Sequence, residues 1–314
     1  NTDVKILLKK GSLFILPIIA WIIIVFTVDP FNYFNFSKAI SQPSKEKSAQ
    51  KLNSLLYNSV HFKNHPTPNV IIGDSRIRKL PVDRIKEITG DDYYVMHSNA
   101  AKLNEIIDLF WLTDSLYYIS GFANLKNVII GVNFNLYNEF AYADRVADVK
   151  EMLRNPFIYI FNWNIAETVY LSLRNEFFGI QKKKIKNKEK FWQHTITNVA
   201  KNHYSKWRHP EETLLRLEEM GAYCKANNIN LTLLIVPHHE EFYNRLVEFK
   251  LTEEEMQFKK EISTIGRVID FDYPNSITNC KSCFSDPIHT TDSISKLIID
   301  ELFSDSLTIG KLLQ

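Results

Sequence analysis

Five short, continuous apolar runs, each ended by turn-forming residues and separated by helix-patterned stretches, constrain this chain more than any other feature. They are Asn69–Ile72 before Gly73, Tyr93–His97, Val128–Gly131, Leu231–Val236 and a weaker one at Val268–Phe271. Residues apolar in succession suit strands covered on both faces, as in a parallel sheet. Between them, Lys102–Ser120 carries Leu103, Ile106, Ile107, Phe110 and Trp111 at helical spacing. Glu211–Ala226 and Thr291–Phe303 repeat the pattern. Strands alternating with helices imply right-handed βαβ crossovers, so the expected fold is an α/β, doubly wound parallel sheet. A 45% hydrophobic share over 314 residues can fill that core, and a formal net charge of +2 argues against a dedicated nucleic-acid binder.

The start of the chain departs from this pattern. Ser12 to Val28 is an uncharged, almost wholly apolar run of 17 residues, about 25 Å long as a helix. Lys5, Lys9 and Lys10 precede it, Asp29 follows it, and Phe31, Tyr33, Phe34 and Phe36 come next. That asymmetry predicts one transmembrane helix with a cytoplasmic N-terminus and the rest of the chain outside. No A-x-A-like cleavage site follows Val28. The expected organisation is a cytoplasmic segment 1–11, a span 12–28, a polar stalk or lead-in 29–68, and an α/β domain 69–314.

About 70 residues separate the third strand from the helix preceding the fourth, too many for an ordinary connection. They are read as a helical insertion at about 137–210, aromatic-rich over Asn155–Phe178 and basic over Gln181–Lys190. An inserted helical layer with a solvated charged end is the plainer reading. The sharper one is a lid or membrane-facing platform, with Lys182, Lys183, Lys184, Lys186, Lys188 and Lys190 meeting lipid headgroups and the aromatics a partner protein.

Three groups of residues fall at the carboxyl ends of expected strands, where α/β folds bind ligands. Gly73-Asp74-Ser75 follows the first strand, and a helix opening there would stabilise negative charge at Ser75. Asp286-Pro-Ile-His289 precedes the last helix. Its spacing lets Asp286 hold one imidazole nitrogen while the other takes a proton from Ser75, which is triad logic in the order Ser, Asp, His. Gly131-Val132-Asn133 ends the third strand and supplies a side-chain amide for an oxyanion. Each has an ordinary alternative: a helix cap, a loop, a turn asparagine. Arg76 is either an anion-greeting residue or a surface arginine, and His238 and His239 are expected at the site rim, lining a glycan groove. No metal-ligand spacing is present. For Cys280-x-x-Cys283, zinc lacks a second ligand pair and a redox motif lacks its strand–helix setting, which leaves a local disulfide stiffening the triad loop. Cys224 reads as a buried apolar residue.

In that order, GDS (Gly73–Ser75), G-x-N (Gly131–Asn133) and D-x-x-H (Asp286–His289) resemble the SGNH/GDSL hydrolase superfamily. The resemblance implies a flavodoxin-like sheet, Ser75 as nucleophile and oxyanion donor, Asn133 as a second donor, and Asp286 and His289 completing the triad. The superfamily places a glycine after the second strand; here the chain reads His97-Ser98-Asn99-Ala100, so a backbone N–H of Asn99 or Ala100 would substitute. With the anchor and the insertion, the chain resembles the membrane-anchored SGNH-like proteins that accompany membrane-bound O-acyltransferases in bacterial envelope polysaccharide acylation. The function this implies is extracytoplasmic O-acyl transfer, acetyl above all, onto an envelope glycopolymer through a Ser75 acyl-enzyme. A multi-span acyltransferase partner is expected and no cofactor. A membrane-tethered esterase or deacetylase and a non-catalytic assembly partner are the alternatives.

Overall fold

A computed structural model describes residues 2–180, 187–304 and 306–313, with side chains from residue 15 onward. In chain order the elements begin with α1 (Thr2–Val28), α2 (Gln42–Asn64), β1 (Asn69–Gly73), α3 (Val82–Thr89), β2 (Tyr93–His97), α4 (Leu103–Ile119) and β3 (Asn127–Gly131). Then come α5 (Arg145–Arg154), α6 (Pro156–Ile160), α7 (Trp163–Phe178), α8 (Lys188–His194), α9 (Ala200–Tyr204), α10 (Glu211–Ala226) and β4 (Asn230–Ile235). The last elements are α11 (Glu240–Glu248), α12 (Thr252–Ser263), β5 (Arg267–Asp270), β6 (Phe284–Asp286), β7 (His289–Thr290), α13 (Asp292–Leu302) and β8 (Lys311–Leu313).

Two compact units emerge, and the larger comprises residues 65–146 and 184–314. Its sheet has the order β2-β1-β3-β4-β5-β8, with β1 to β5 parallel and β8 antiparallel to β5. The strands start in line because of asparagines: Asn127 Nδ2 donates to Asn69 Oδ1 at 2.7 Å and Asn230 Nδ2 to Asn127 Oδ1 at 2.9 Å. Every residue of β1 is buried. On one face Ile71, Ile129, Leu234 and Ile269 form a core with Ile85 of α3 and Ile298 and Ile299 of α13. Helices α4 and α10 lie against β1 and β4, linked to each other by Arg216–Asp108 and Tyr223–Asp114 at 2.7 Å each. The register aligns Gly73 with His97, Gly131 with Leu234 and Ile235 with Asp270, so the parallel strands all end at one level.

The smaller unit joins residues 1–64 to 147–183. The stretch expected as a stalk is here the helix α2, kinked at Asn53, whose Oδ1 accepts the N–H of Leu56 and restarts the helix. Its covered positions include Ser44, Ser48 and Ala49, and Ser48 Oγ accepts from Asn175 of α7 at 3.0 Å. Before Asn53 the covered face is mostly small and polar and gives no apolar periodicity, which is why the sequence reads as a stalk; beyond it Leu55, Leu56, Tyr57, Val60 and Phe62 are buried. The single insertion at about 137–210 is corrected too. Residues 147–183 belong with the N-terminal segment, whereas Trp192 and Ile196, around α8, enter the sheet unit's core.

Helix α1 contains the apolar run 12–28, and among the described residues no helix is long and apolar enough to cross a membrane. The span expected there is not found among them. Lys5, Lys9, Lys10 and residues 12–14 have no described side chains, and Lys182, Lys183, Lys184 and Lys186 lie outside the described residues.

Candidate active site

The strand order reverses between β1 and β3, and the chain segments leaving the aligned strand ends converge there. After β1 the chain makes a tight turn at Ser75 and Arg76 and then one 3₁₀ turn, Ile77–Lys79. No α-helix opens at Ser75, so the expected helix dipole is absent from this position. The turn instead lies directly on the strands. A Cβ built on Gly73 would meet Ile77 Cγ1 at 2.9 Å, and one on Gly131 would meet Ile77 Cγ2 at 2.6 Å. Both glycines are there to admit Ile77, and Ile77 seats the turn that carries Ser75.

Asp286 and His289 face each other across the β6–β7 hairpin, joined by Pro287 and Ile288. His289 Nδ1 is 2.9 Å from both carboxylate oxygens of Asp286, and His289 Nε2 is 2.8 Å from Ser75 Oγ. A carboxylate only accepts, so Nδ1 carries the ring proton and Nε2 is left to accept from the Ser75 hydroxyl. Asp286 Oδ1 also accepts the N–H groups of Ile288 and His289, which locks its rotamer. Ser75 is half-buried, and the side chains of His289 and Asp286 keep 25% and 15% of their surface, so the chain of contacts is open to a substrate. Just before β6, Cys280 and Cys283 form a disulfide.

Three groups lie at the ends of β1, β2 and β3 as candidate oxyanion donors. The N–H groups of Ser75 and Ala100 carry no hydrogen bond among the described residues. Ala100 has φ +54°, the left-handed region where a side chain costs about 1–2 kcal/mol, so this is the place a glycine would occupy. Arg145 braces the loop, donating to the Asn99 carbonyl at 3.1 Å and to buried Glu105 at 2.6 Å. Asn133 is buried; its Nδ2 gives one of two N–H bonds to the Val236 carbonyl at 2.7 Å, and its Oδ1 has no hydrogen-bond partner among the described residues.

Arg76, His238 and His239 are not at the surface, and their expected substrate-facing roles are corrected. Arg76 is buried; it forks onto Asp74 at 3.0 Å and donates to Asn135 Oδ1 at 2.8 Å and His238 Nε2 at 2.7 Å. A guanidinium only donates, so His238 Nε2 accepts and its Nδ1–H goes to Asp272 Oδ2 at 2.8 Å. Burial pushes the Asp74 carboxyl up, but Arg76 outweighs it and holds the group below its usual range. Asp272 is likewise pushed up by burial and brought below its usual range by His238. Lys259 then joins Asp270 Oδ2 and the Asp272 carbonyl, each at 2.8 Å. His239 caps α11 with its ring packed edge-on against Trp192 and Phe284, and its N–H holds the Pro287 carbonyl of the triad hairpin at 2.9 Å. Sequence reasoning missed Asn135, Asp272 and Lys259; the signal was Asp270-x-Asp272 at the end of an apolar strand, where unpaired acids are expensive.

Among the described residues no group of three or more His, Cys, Asp or Glu is arranged to hold a metal ion. Cys224 is a buried free thiol, its pKa pushed up by burial to about 12.

No family model matches this sequence, and no curated protein matches it. Among solved structures it is similar to "a putative platelet activating factor from Streptococcus pneumonia", at 9% identity and a TM-score of 0.42, over 84% of this chain and 97% of that one. A likeness of that size carries no inference about activity.

Proposed function

We propose that this chain is a serine acyl enzyme of the SGNH type, with Ser75 as nucleophile, His289 as general base and acid, and Asp286 as orienting carboxylate. The observation that carries this reading is the unbroken run of 2.8 and 2.9 Å contacts from Ser75 Oγ through His289 to Asp286. The sheet order 2-1-3-4-5 through β5 is the flavodoxin-like order that the resemblance implies.

In this mechanism Ser75 Oγ attacks the acyl carbonyl while His289 Nε2 takes its proton. The C–O bond to the leaving group breaks as His289 returns the proton to it, leaving acyl-Ser75. Water or a sugar hydroxyl then attacks, again deprotonated by His289, and Ser75 is released. Negative charge on the tetrahedral oxygen faces the N–H groups of Ser75 and Ala100 and the amide of Asn133, each such donor being worth about 3 kcal/mol.

The acceptor distinguishes an esterase from a transferase. The transferase reading, with acetyl passed to an envelope glycopolymer outside the cytoplasm beside a multi-span acyltransferase, draws support from the apolar run 12–28. In its described part Ile15, Leu16, Ile18, Ile19, Ile23 and Ile24 are exposed, as a lipid-facing helix requires. Incubation with a nitrophenyl acetate, followed by intact-mass measurement, tests the chemistry. Ser75 should gain one acetyl group, and Ser75→Ala should gain none and lose at least about 10³-fold in rate. Adding glycan then separates acetylated glycan from free acetate. A Ser75→Ala protein that still supports polymer acylation in cells would leave only the assembly role.

A further inference from the structure

The smaller unit has a surface that the serine chemistry does not use. Helix α7 buries Ile165, Thr168, Val169, Leu171, Ser172 and Asn175 on one side. On its other side Trp163, Tyr170 and Phe177 recur every seven residues and are 80%, 63% and 74% exposed, with Phe178 beside them at 84%. Seven residues is close to two helical turns, so the three form one stripe about 21 Å long. Phe157 of α6 and Phe161 just after it are exposed as well. Large exposed aromatics in a row are uncommon on a water-facing helix and mark a surface that something covers.

The neighbour of this stripe indicates what covers it. Helix α1 packs against α7, and Trp21 Nε1 donates to the Ile160 carbonyl at the end of α6, at 2.9 Å. Just after α1 in the chain, Tyr33 stacks on Tyr159 at 4.1 Å and Phe31 and Phe34 meet it edge-on, while Tyr33 Oη donates to the Met152 carbonyl. The aromatic helices are thereby fixed beside the last two turns of α1. Phe31, Tyr33 and Phe34 follow Val28 within six residues, so their packing on Tyr159 sets α6, the element just before the stripe, level with the end of the apolar run. Tryptophan and tyrosine prefer that depth in a bilayer, and a helix with Trp and Phe along one face can lie there with that face in the headgroup boundary.

We infer that the stripe Trp163–Tyr170–Phe177, with Phe157 and Phe161, lies in the headgroup boundary of a lipid bilayer, so that α1, α6 and α7 together form a membrane-seated platform. The inference shares the apolar α1 with the proposed function and is independent of Ser75. It is tested on the full chain, with Cys224→Ala, in nanodiscs of anionic phospholipid, using nitroxide labels placed singly by Trp163→Cys, Tyr170→Cys and Phe177→Cys. Ile19→Cys reports on α1, and exposed Met256→Cys on α12 is the aqueous reference. Stripe labels should lose collisional access to a water-soluble nickel chelate relative to Met256→Cys and gain access to oxygen. As a check without labels, brominated lipid should quench fluorescence of the unaltered chain more than that of Trp163→Phe. Stripe labels as nickel-accessible as Met256→Cys, with Ile19→Cys in lipid, would overturn the platform and leave the anchor standing. Stripe labels shielded from both reagents would mean that protein, a second copy or a partner, covers the face, and would overturn it as well. Labels at Ile19 and the stripe both in water would overturn the anchor reading together with this one.

Discussion

Arg76 follows the nucleophile in sequence, yet every contact of its guanidinium is internal: Asp74, Asn135 and His238. Replacing it by alanine strands the buried Asp74 carboxylate, which costs about 3–5 kcal/mol for a broken buried pair. Urea denaturation should show that loss for Arg76→Ala, whereas Ser75→Ala stays within about 1 kcal/mol of the parent. Arg76→Lys keeps the charge but not the fork, and should lose part of the stability together with much of the acylation rate, since the Asp74–Arg76 pair sets the turn bearing Ser75. Ala100 makes the opposite case. At φ +54° it carries a side chain where none is favoured, so Ala100→Gly should stabilise the chain by about 1 kcal/mol, read as a higher urea midpoint. The triad types were legible because each is bound to a strand end or a four-residue turn. The destinations of Arg76 and His238 were not, because their partners Asn135 and Asp272 lie 59 and 34 residues away.

At the scale of elements, the seat of the nucleophile depends on Ile77 packing over two bare backbones. Gly131→Ala places a methyl 2.6 Å from Ile77 Cγ2, and overpacking of this kind costs about 1–3 kcal/mol. The double variant Gly131→Ala/Ile77→Ala should be less destabilised than the sum of the singles, as a double-mutant cycle in urea would show. Its acylation rate should stay low because the turn has lost its seat. Strands β1 to β5 and helices α4, α10 and α13 all fall within about a residue or two of their expected limits, since buried strands and amphipathic helices announce themselves by local pattern. The strand β8 has only three residues, and the first half of α2 covers Ser44, Ser48 and Ala49, so neither carried such a pattern. The second half of α2, with Leu55, Leu56, Tyr57, Val60 and Phe62 buried, did carry apolar positions within the stretch read as a stalk.

For the molecule as a whole, buried titratable groups set the response to acid. Burial holds His97 and His203 down at about 4, with Arg78 adding to the effect at His97 and Lys102 at His203. Both stay neutral in the folded chain while the unfolded chain takes up protons below its pKa near 6.5, so their contribution is complete above that pH and is lost as pH falls toward 4. Asp74 and Asp272 are depressed instead; they stabilise the fold above an unfolded pKa of about 3.9, and that share disappears as pH falls below it. Asp29, Asp114, Glu255 and Asp270 act the other way, because burial raises their carboxyls and protonation relieves that cost. The histidine share of the urea midpoint should therefore be flat near pH 7–8 and decline from about pH 6.5 to 4, and the Asp74 and Asp272 share should be lost in stronger acid. A His97→Gln protein should show a shallower decline in the upper window, by up to about 3 kcal/mol, and an unchanged one below it.

The residues themselves determined the strand runs, the main helices and the order in which serine, asparagine, aspartate and histidine arrive at the strand ends. These follow from backbone preference and periodicity, which act between neighbours in the chain. Tertiary structure alone decided that Arg76 and His238 face inward, that residues 147–183 join the N-terminal segment, and that the aromatics of α7 share one exposed stripe beside α1. Burial creates the demand for a partner at each charge or apolar face, but which partner meets it depends on distant segments brought together by folding.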